Sequence, residues 1–503
     1  MNLTSFGFFV FLIVTIVVYY SFKPIQKYTL LVASLYFYFS VSSVTKWKLC
    51  LLIITIGLIS YLGAIVIEKA GGKLRNILLA GSILLIVSLL FVLKYAYNVI
   101  TGIKVLLHMS FNTSWMQFAF LLGISYYSLT AMGYIIEVYW NNQRASKNPI
   151  DVFLFVFYFP QLISGPLTRY EEMRSQFSKK KSLSYDKFTL GLRRMLFGYF
   201  KKLVISERFA VVVASVYGEY SQYSMVGIIG ATICYAIQLY TDFSGCMDIV
   251  IGTSLLFGID LPENFAAPFF SETVQEFWQR WHITLGLWFK DYVMYPIQKS
   301  KGIQKIGKVI KKAFGKKIGR KIPFYISMII LWICIGMWHG GTGYYFIASA
   351  GIPCIYILIG DIFRPLSSKI TRILRINVNC DSWRWFRRIR TFLLICVCWM
   401  VVCSAGTHSF FHIVAHMVSK PINYTLIDDA LAAMGLGILD VAIMMIGLIV
   451  LFFADLCVYK GNSLFDVMNK QNYLARLTLI YLEVALILFH GMVGESSFIY
   501  FKF

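Results

Sequence analysis

Long apolar runs recur along the whole chain, and they restrict what it can fold into. Of the 503 residues, 58% are hydrophobic and only 14% are charged, and the mean hydropathy is +0.69. Apolar runs of roughly 17 to 25 residues match the roughly 20 helical residues that cross a hydrocarbon core of about 30 Å. The sequence therefore predicts an all-α polytopic membrane protein. We place spans near residues 6–22, 28–45, 49–67, 77–97, 116–139, 150–165, 208–218 with 226–256, 281–297, 324–339, 344–362, 391–406, 429–455 and 475–494.

Basic residues lie in short blocks between these runs, and the formal net charge is +23. By the positive-inside rule such blocks are cytoplasmic loops held against anionic headgroups, so the expected partners are membrane lipids and not nucleic acid. Their alternation places both chain termini on the outer side. The run WRWFRRIR, 383–390, is expected to be a solvated inner face. The blocks are 69–75, 144–147, 169–202, 299–321 and 364–390.

The chain shows no internal division, because no linker rich in Pro, Gly or Ser and no repeat interrupts it. We therefore predict one integral-membrane domain over residues 1–503. The block 299–321 has apolar residues at helical spacing, which predicts a basic amphipathic helix on the inner membrane surface. Ten scattered cysteines favour neither a disulfide framework nor a metal cluster. His408, His412 and His416 would share one helix face, where an interfacial helix is favoured over a metal site.

The stretch 235–297 differs from the rest of the chain because ionisable residues are frequent within it. Such groups are expensive in or beside membrane segments, so they indicate a functional site, with a hydrogen-bonded structural network as the alternative. They are Asp242, Asp248, Asp260, Glu263, Glu272, Glu276, Arg280, His282, Lys290 and Asp291.

A second unusual stretch, FYFPQLISGPLTR at 157–169, has Pro160, Gly165 and Pro166 inside an apolar run. Helix breakers at membrane depth are tolerated where the backbone is buried in protein or lines a cavity, which indicates an internal chamber. An ordinary kinked helix end remains the alternative.

Two histidines are candidates for chemistry. His339 ends an apolar run that begins near Pro323, and sixteen residues of helix would carry it about 24 Å across the bilayer. His282 lies in the charged stretch. A neutral imidazole can take a proton from an attacking hydroxyl, as a general base must. Each histidine alone could equally be a hydrogen-bonded core residue, but their coincidence with broken helices and buried carboxylates favours catalysis.

Several motifs in one order resemble the membrane-bound O-acyltransferase (MBOAT) family, and within it the bacterial branch of alginate O-acetyltransferase membrane components. They extend over residues 155–350 and comprise FPQLISGP (159–166), DFSG (242–245), LPENF (261–265) with AP (267–268), EFWQRWH (276–282), DY (291–292) and WHG (338–340).

That resemblance implies a ring of about 11 to 13 tilted and re-entrant helices around a central tunnel. It also implies that His339 is the catalytic histidine and His282 a second, less essential one, with no metal and no bound cofactor. The sequence departs from the family after His282, after Pro296 and beyond His339, which leaves the acceptor open. The implied tunnel or substrate contacts are Trp338, Asp242, Ser244, Glu276, Arg280, Trp281 and Asn264.

The last six residues, FIYFKF at 498–503, resemble the short C-terminal acyl-transfer motif of D-alanylation systems. That likeness implies that Tyr500 accepts the acyl group, with His339 as its base, because a phenol with a pKa near 10 is scarcely ionised at neutral pH. An aromatic belt that anchors the last span is the alternative.

Together these features imply an acyltransferase of the bacterial cytoplasmic membrane. It would move an acyl group, most simply acetyl, from acetyl-CoA or another cytoplasmic thioester across the membrane. An extracytoplasmic SGNH-type acyltransferase or esterase partner would then O-acetylate a cell-surface or secreted polysaccharide. The alternatives are a D-alanyl or lipid acyltransferase of the same family and a transporter of lipid-linked glycans with Asp242, Asp248 and Glu276 as intramembrane polar sites.

Overall fold

The computed structural model shows a chain that is helical over almost all of the residues that it describes. These are residues 1–41, 46–95, 99–101, 103–104, 107, 123–340, 343–404, 406–420 and 434–492. Tyr500 and the rest of the 498–503 motif lie outside them, so the role implied for Tyr500 stays a prediction.

Seven helices within the described residues are long and apolar enough to cross a membrane. The number rises to nine if each of two bent helix pairs is one span, namely Phe6–Ser21 with Lys23–Val41 and Asp381–Cys403 with His408–Ser419. The all-α polytopic class is thereby confirmed. The seven helices are Trp47–Lys69, Gly72–Lys94, Met225–Leu256, Lys316–His339, Gly343–Ile373, Ile438–Tyr459 and Tyr473–His490.

Two compact units make up the chain. The first comprises residues 1–196 and 246–262, and aromatic side chains fill its core: the Tyr38 and Tyr127 hydroxyls lie 2.9 Å apart, and Tyr158 bonds Ser254 at 3.1 Å. Its helices include Phe6–Ser21, Gln26–Val41, Lys46–Lys69, Gly72–Lys94, Ile124–Tyr139, Pro149–Phe157, Phe159–Leu162 and Tyr170–Phe177.

The predicted span near 150–165 is broken within this first unit. Pro149–Phe157 ends at Tyr158, whose ψ of 116° leaves the helical region, and Phe159–Leu162 follows as one short turn. The break has a local cause, because Pro160 lacks an N–H and its ring would clash with the carbonyl four residues earlier in a continuous helix.

The second unit comprises residues 197–245 and 263–494, and it holds both candidate histidines. Its helices are assigned through residue 490, and Tyr185–Tyr199 and Met225–Leu256 each have residues in both units. The others include Glu207–Gly218, Val274–Arg280, Ile283–Phe289, Tyr295–Lys299, Lys301–Phe314, Lys316–His339, Gly343–Phe346, Ile352–Ile373, Asp381–Cys403, Thr407–Ser419, Ile438–Tyr459, Leu464–Asn469 and Tyr473–His490.

Three stretches of this unit are π-helical: Phe200–Ser206, Lys290–Met294 and Ile347–Gly351. Each continues an α-helix on both sides, so residues 185–218, 283–299 and 343–373 are unbroken helices that contain a wider turn. Such turns are rare in proteins overall, and those that occur are often found at functional sites. The span predicted near 281–297 is therefore a helix with a π-helical middle.

Two expectations about the basic blocks are wrong. Part of the block 169–202 is not a loop, because the helix that includes Tyr185–Tyr199 continues through Lys201 and Lys202, both of which are buried. In the run 383–390, Arg388 is buried and not solvated. The expectations failed because both blocks contain cations that are buried and contact other protein groups. The positive-inside rule counts charges and treats every cation as part of a solvated loop.

The predicted amphipathic helix in the block 299–321 is present as Lys301–Phe314, which ends at Gly315 with φ +86°. Its apolar residues Ile306, Val309 and Phe314 are exposed among lysines. This composition is typical of a helix that lies at a membrane surface.

Candidate active site

His282 lies where two short segments of the second unit run antiparallel. The Phe265 backbone forms a bridge with Trp281, and the Ala266 N–H donates to the Arg280 carbonyl at 3.0 Å. The Ile283 N–H donates to the Asn264 carbonyl at 3.0 Å. The LPENF motif is thus hydrogen-bonded to the residues on both sides of His282.

The backbone of His282 is left-handed, with φ +48° and ψ +51°. For a residue with a Cβ this conformation costs roughly 1–2 kcal/mol and persists only where the surroundings enforce it. Here the Asn264 side chain does so, because its Oδ1 accepts from the Thr284 N–H at 3.1 Å and from the Thr284 hydroxyl at 2.9 Å.

The same Asn264 Oδ1 lies 3.3 Å from His282 Nδ1. An amide oxygen accepts only, so in a neutral imidazole Nδ1 carries the proton and Nε2 keeps its lone pair. The ring is 4% exposed and packs edge-on against Phe243, with ring centroids 4.8 Å apart. Asn264 therefore fixes both the orientation and the tautomer of His282.

His339 is the last residue of Lys316–His339 and is partly exposed. Gly340, with φ +149°, follows it and lets the chain leave the helix there. The buried Trp338 ring contacts both histidines, with centroids 4.8 Å from His339 and 6.0 Å from His282. The structure thus brings His339, Trp338, His282 and Asn264 together, with Tyr345 beyond His339 at 6.3 Å.

Asp242 lies in a different environment. It is fully buried, and Lys202 Nζ donates to its Oδ1 at 2.6 Å while pairing with Glu207 Oε1 at 2.5 Å. The helices approach closely here, since a Cβ on Gly245 would lie 2.8 Å from the Gly198 carbonyl oxygen. Asp242 therefore belongs to an ion cluster, which we call the lysine cluster: Lys202, Asp242 and Glu207.

Ser244, two residues from Asp242, is buried, and its hydroxyl has no protein partner within the described part of the chain. Glu276 Oε1 accepts from Arg280 Nε at 3.0 Å, and Arg280 Nη1 donates to the Ala266 carbonyl at 3.0 Å. Trp281 stacks on Phe277 with centroids 5.5 Å apart. Glu276, Arg280 and Trp281 hold the segments around His282 in place.

Sequence reasoning missed Lys202, which pairs with Asp242, and Glu207, which pairs with the same Lys202. One signal in the sequence could have indicated Lys202. Two lysines directly precede an apolar helical segment, and an aspartate within a membrane segment is expected to pair with a cation. Among the described residues, no group of three or more His, Cys, Asp or Glu side chains is arranged to hold a metal ion.

Residues 74–309 match the family model of the membrane-bound O-acyltransferase family, MBOAT. Residues 74–309 are an MBOAT family-model domain. The resemblance found in the sequence motifs is thereby confirmed. The matched MBOAT range includes His282 and ends before His339.

Bacterial relatives extend this MBOAT assignment. A probable alginate O-acetylase of Pseudomonas syringae pv. tomato is 31% identical over 57% of this chain and 49% of its own length. A peptidoglycan O-acetyltransferase of Helicobacter pylori is 30% identical over 64% of this chain and 62% of its own length. A teichoic acid D-alanyltransferase of Bacillus subtilis is 27% identical over 45% of this chain and 55% of its own length. The chain spans about half the length of the alginate relatives that it matches.

Proposed function

We propose that this protein is an O-acyltransferase that uses His339 as general base to move an acetyl group towards a cell-surface or secreted polysaccharide. The observation that carries the proposal is the contact of two histidine rings with Trp338, one of them held by Asn264. Ionisable side chains within membrane segments are costly and rare, which favours a functional role for those that occur.

The reaction begins with an acyl thioester, most simply acetyl-CoA, supplied from the cytoplasm. His339 takes the proton from an attacking hydroxyl, and the oxygen forms a bond to the thioester carbonyl carbon. The tetrahedral intermediate collapses as the carbon–sulfur bond breaks, and the thiolate leaves and takes the proton back from His339. The products are an ester and a free thiol.

The attacking hydroxyl in this proposal is that of Tyr500, which makes a tyrosyl ester the first product. That ester then passes its acyl group to a serine of an extracytoplasmic SGNH-type partner, which acylates the polysaccharide. The protein itself lies in the bacterial cytoplasmic membrane with its C-terminus outside. His282, with its Nδ1 proton directed at Asn264, stabilises the reacting groups through Nε2 and its packing on Trp338.

Acetyl is preferred over D-alanyl as the acyl group because the relatives matched at 30–31% identity are named O-acetylases or O-acetyltransferases. The relatives named teichoic acid D-alanyltransferase match at 27–28%. Their presence keeps D-alanyl transfer as the second candidate. The two differ in the group that mild alkali releases from the cell surface, which is acetate in one case and D-alanine in the other.

The test measures the acetate that mild alkali releases from the surface of native-host cells. It compares the variants His339→Ala and His282→Ala with a control, His412→Ala, at equal protein levels. His412 is an exposed histidine of the helix Thr407–Ser419. General-base removal costs about 10²–10⁴-fold in rate, so cells with His339→Ala should carry almost no surface acetate. Cells with His282→Ala should lose a smaller part of their surface acetate, and cells with His412→Ala should lose none.

Normal surface acetate together with normal surface D-alanine in His339→Ala cells would overturn the enzymatic proposal, whereas normal acetate with loss of D-alanine would select the second candidate. A greater loss in His282→Ala than in His339→Ala would move the general base to His282. Purified protein should release free thiol from acetyl-CoA, which a glycan transporter does not do.

A further inference from the structure

Arg388 is a buried cation at the N-terminal end of the helix Asp381–Cys403. It is only 8% exposed, and three aromatic rings surround its guanidinium. The guanidinium carbon lies 4.7 Å from the centroid of Trp385, 4.9 Å from that of Tyr459 and 5.5 Å from that of Phe270. Aromatic faces attract a cation, but they do not accept its hydrogen bonds in the plane of the guanidinium.

The hydrogen bonds of Arg388 are incomplete. Its Nη2 donates to the Tyr459 hydroxyl at 3.0 Å, while its Nε has no protein partner among the described residues. The Arg387 Nε and the Thr391 hydroxyl are likewise buried without a protein partner there. Thr391 lies three positions after Arg388 and four after Arg387, so its side chain is a helix-face neighbour of both. Buried donors without an acceptor are rare in native proteins and require an explanation.

Charge around Arg388 is also unbalanced. Arg387 pairs with the Glu272 carboxylate, and Arg280 pairs with Glu276. Arg390 donates only to the Glu272 backbone carbonyl, at 2.8 Å. Within the described residues, Arg388 and Arg390 thus have no carboxylate partner. The Arg280 guanidinium carbon also lies 5.3 Å from the centroid of the Tyr459 ring. We call Arg280, Arg387, Arg388 and Arg390 the arginine cluster.

We propose that the arginine cluster binds a phosphate group, with Arg388 as its central ligand. A phosphate has several acceptor oxygens, and arginine presents a planar fork of donors that matches them. Such a ligand would satisfy Arg388 Nε, Arg387 Nε and the Thr391 hydroxyl together, and its charge would offset the excess of cations. Two molecules could supply that phosphate: a nucleotide-bearing thioester such as CoA or an anionic lipid headgroup.

The position of the arginine cluster favours CoA as the source of the phosphate. This part of the inference rests on the proposed function. Trp399 lies on the same helix, eleven residues beyond Arg388, or about 16 Å along its axis. Trp399 packs on Trp281, next to His282, with centroids 5.5 Å apart. A donor that joins its phosphates to its thioester by a flexible arm can therefore contact both the arginine cluster and the histidines.

The experiment measures CoA binding to the purified full-length protein in phosphatidylcholine nanodiscs, with S-acetylpantetheine as a second probe that lacks phosphate. Arg388→Gln should weaken the CoA dissociation constant about tenfold or more, as expected for loss of charge-assisted hydrogen bonds. Binding of S-acetylpantetheine should not change. The control is Arg384→Gln on the same helix, an exposed arginine 3.9 Å from Asp381, which should bind CoA as the native protein does.

A lipid arm uses native mass spectrometry of the same variants with phosphatidylglycerol. Loss of retained phosphatidylglycerol in Arg388→Gln with unchanged CoA affinity would support the phosphate site and make the lipid its occupant. Unchanged binding of both CoA and phosphatidylglycerol would overturn the proposal. So would an equal loss of CoA and S-acetylpantetheine, because it would show that Arg388 acts only in packing.

Arg388→Lys keeps the charge but not the planar fork, and it serves if Arg388→Gln does not fold. Its CoA affinity should lie below that of the native protein, and native binding of both CoA and phosphatidylglycerol would contradict the proposal. CoA binding by His339→Ala tests the phosphate site independently of acyl transfer. If that variant transfers no acyl group but binds CoA with native affinity, the phosphate site is supported whatever the outcome for the proposed function.

Discussion

The lysine cluster and the arginine cluster each contain a buried cation of the second unit, Lys202 and Arg388, yet they differ in how completely their hydrogen-bond donors are satisfied. In the lysine cluster, one Nζ faces two carboxylate oxygens at 2.5 and 2.6 Å. In the arginine cluster, cations outnumber carboxylates, and two guanidinium nitrogens lack protein acceptors within the described residues. A cluster that is satisfied internally holds helices together, whereas one with donors to spare is suited to an anionic ligand.

Removing the cation of the lysine cluster should give the largest effect on stability. Lys202→Met removes the ammonium group that pairs with the buried Asp242 and Glu207 carboxylates, and loss of one member of a buried ion pair costs about 3–5 kcal/mol. The measurement is thermal unfolding of the purified protein in detergent.

The matched control for this prediction is Lys187→Met, since Lys187 pairs with Asp260 on the exposed surface at 2.6 Å. Exposed ion pairs contribute only about 0–1 kcal/mol. If Lys202→Met and Lys187→Met unfolded at the same temperature, the lysine cluster would not be a structural element.

A smaller loss is expected from Asp242→Asn, which keeps the shape of the side chain and leaves Lys202 paired with Glu207. Weakening one buried charged hydrogen bond should cost about 1–3 kcal/mol. In the double variant with Lys202→Met the losses should be less than additive, since both changes remove the same contact. Fully additive losses of unfolding temperature would mean that the two residues act independently.

The smallest effect is expected at Tyr459, whose hydroxyl accepts from Arg388 at 3.0 Å. Tyr459→Phe keeps the ring that packs on Arg388 and removes one hydrogen bond, which contributes about 0.5–1.5 kcal/mol. The unfolding temperature should therefore fall only slightly. A fall as large as that of Lys202→Met would show that the arginine cluster is also a closed structural network, which would remove its difference from the lysine cluster.

Much of the fold could be predicted from the sequence because it depends on local apolar runs. The spans near 49–67, 226–256 and 475–494 correspond to Trp47–Lys69, Met225–Leu256 and Tyr473–His490. The helical course of 185–218 could not be predicted in the same way. Its lysines indicate a loop until their partners are known, and Asp242 lies 40 residues away from Lys202.

The candidate site divides in a similar way. His282 and His339 were found as chemically unusual residues, and motif resemblance added Trp338 and Asn264. The contact between Asn264 and His282 joins residues 18 apart across a left-handed turn, which no periodicity in the sequence reveals. Arg388 was misjudged because an arginine among other arginines has the composition of a solvated face, and only packing shows that aromatic rings enclose it.

The π-helical turn Phe200–Ser206 decides which residues of its helix point in the same direction. Lys202 and Glu207 are five positions apart, and five steps of about 100° on an α-helix would leave their side chains about 140° apart. The π-helical turn is wider and is closed by hydrogen bonds between residues five apart, so the two side chains point in more similar directions and Lys202 Nζ reaches Glu207. The same turn sets the angular phase of all that follows, including Arg208, whose Nε contacts Asp440 at 3.1 Å. A regular α-helix through the same residues would thus rotate the remainder of the helix and separate both pairs at once.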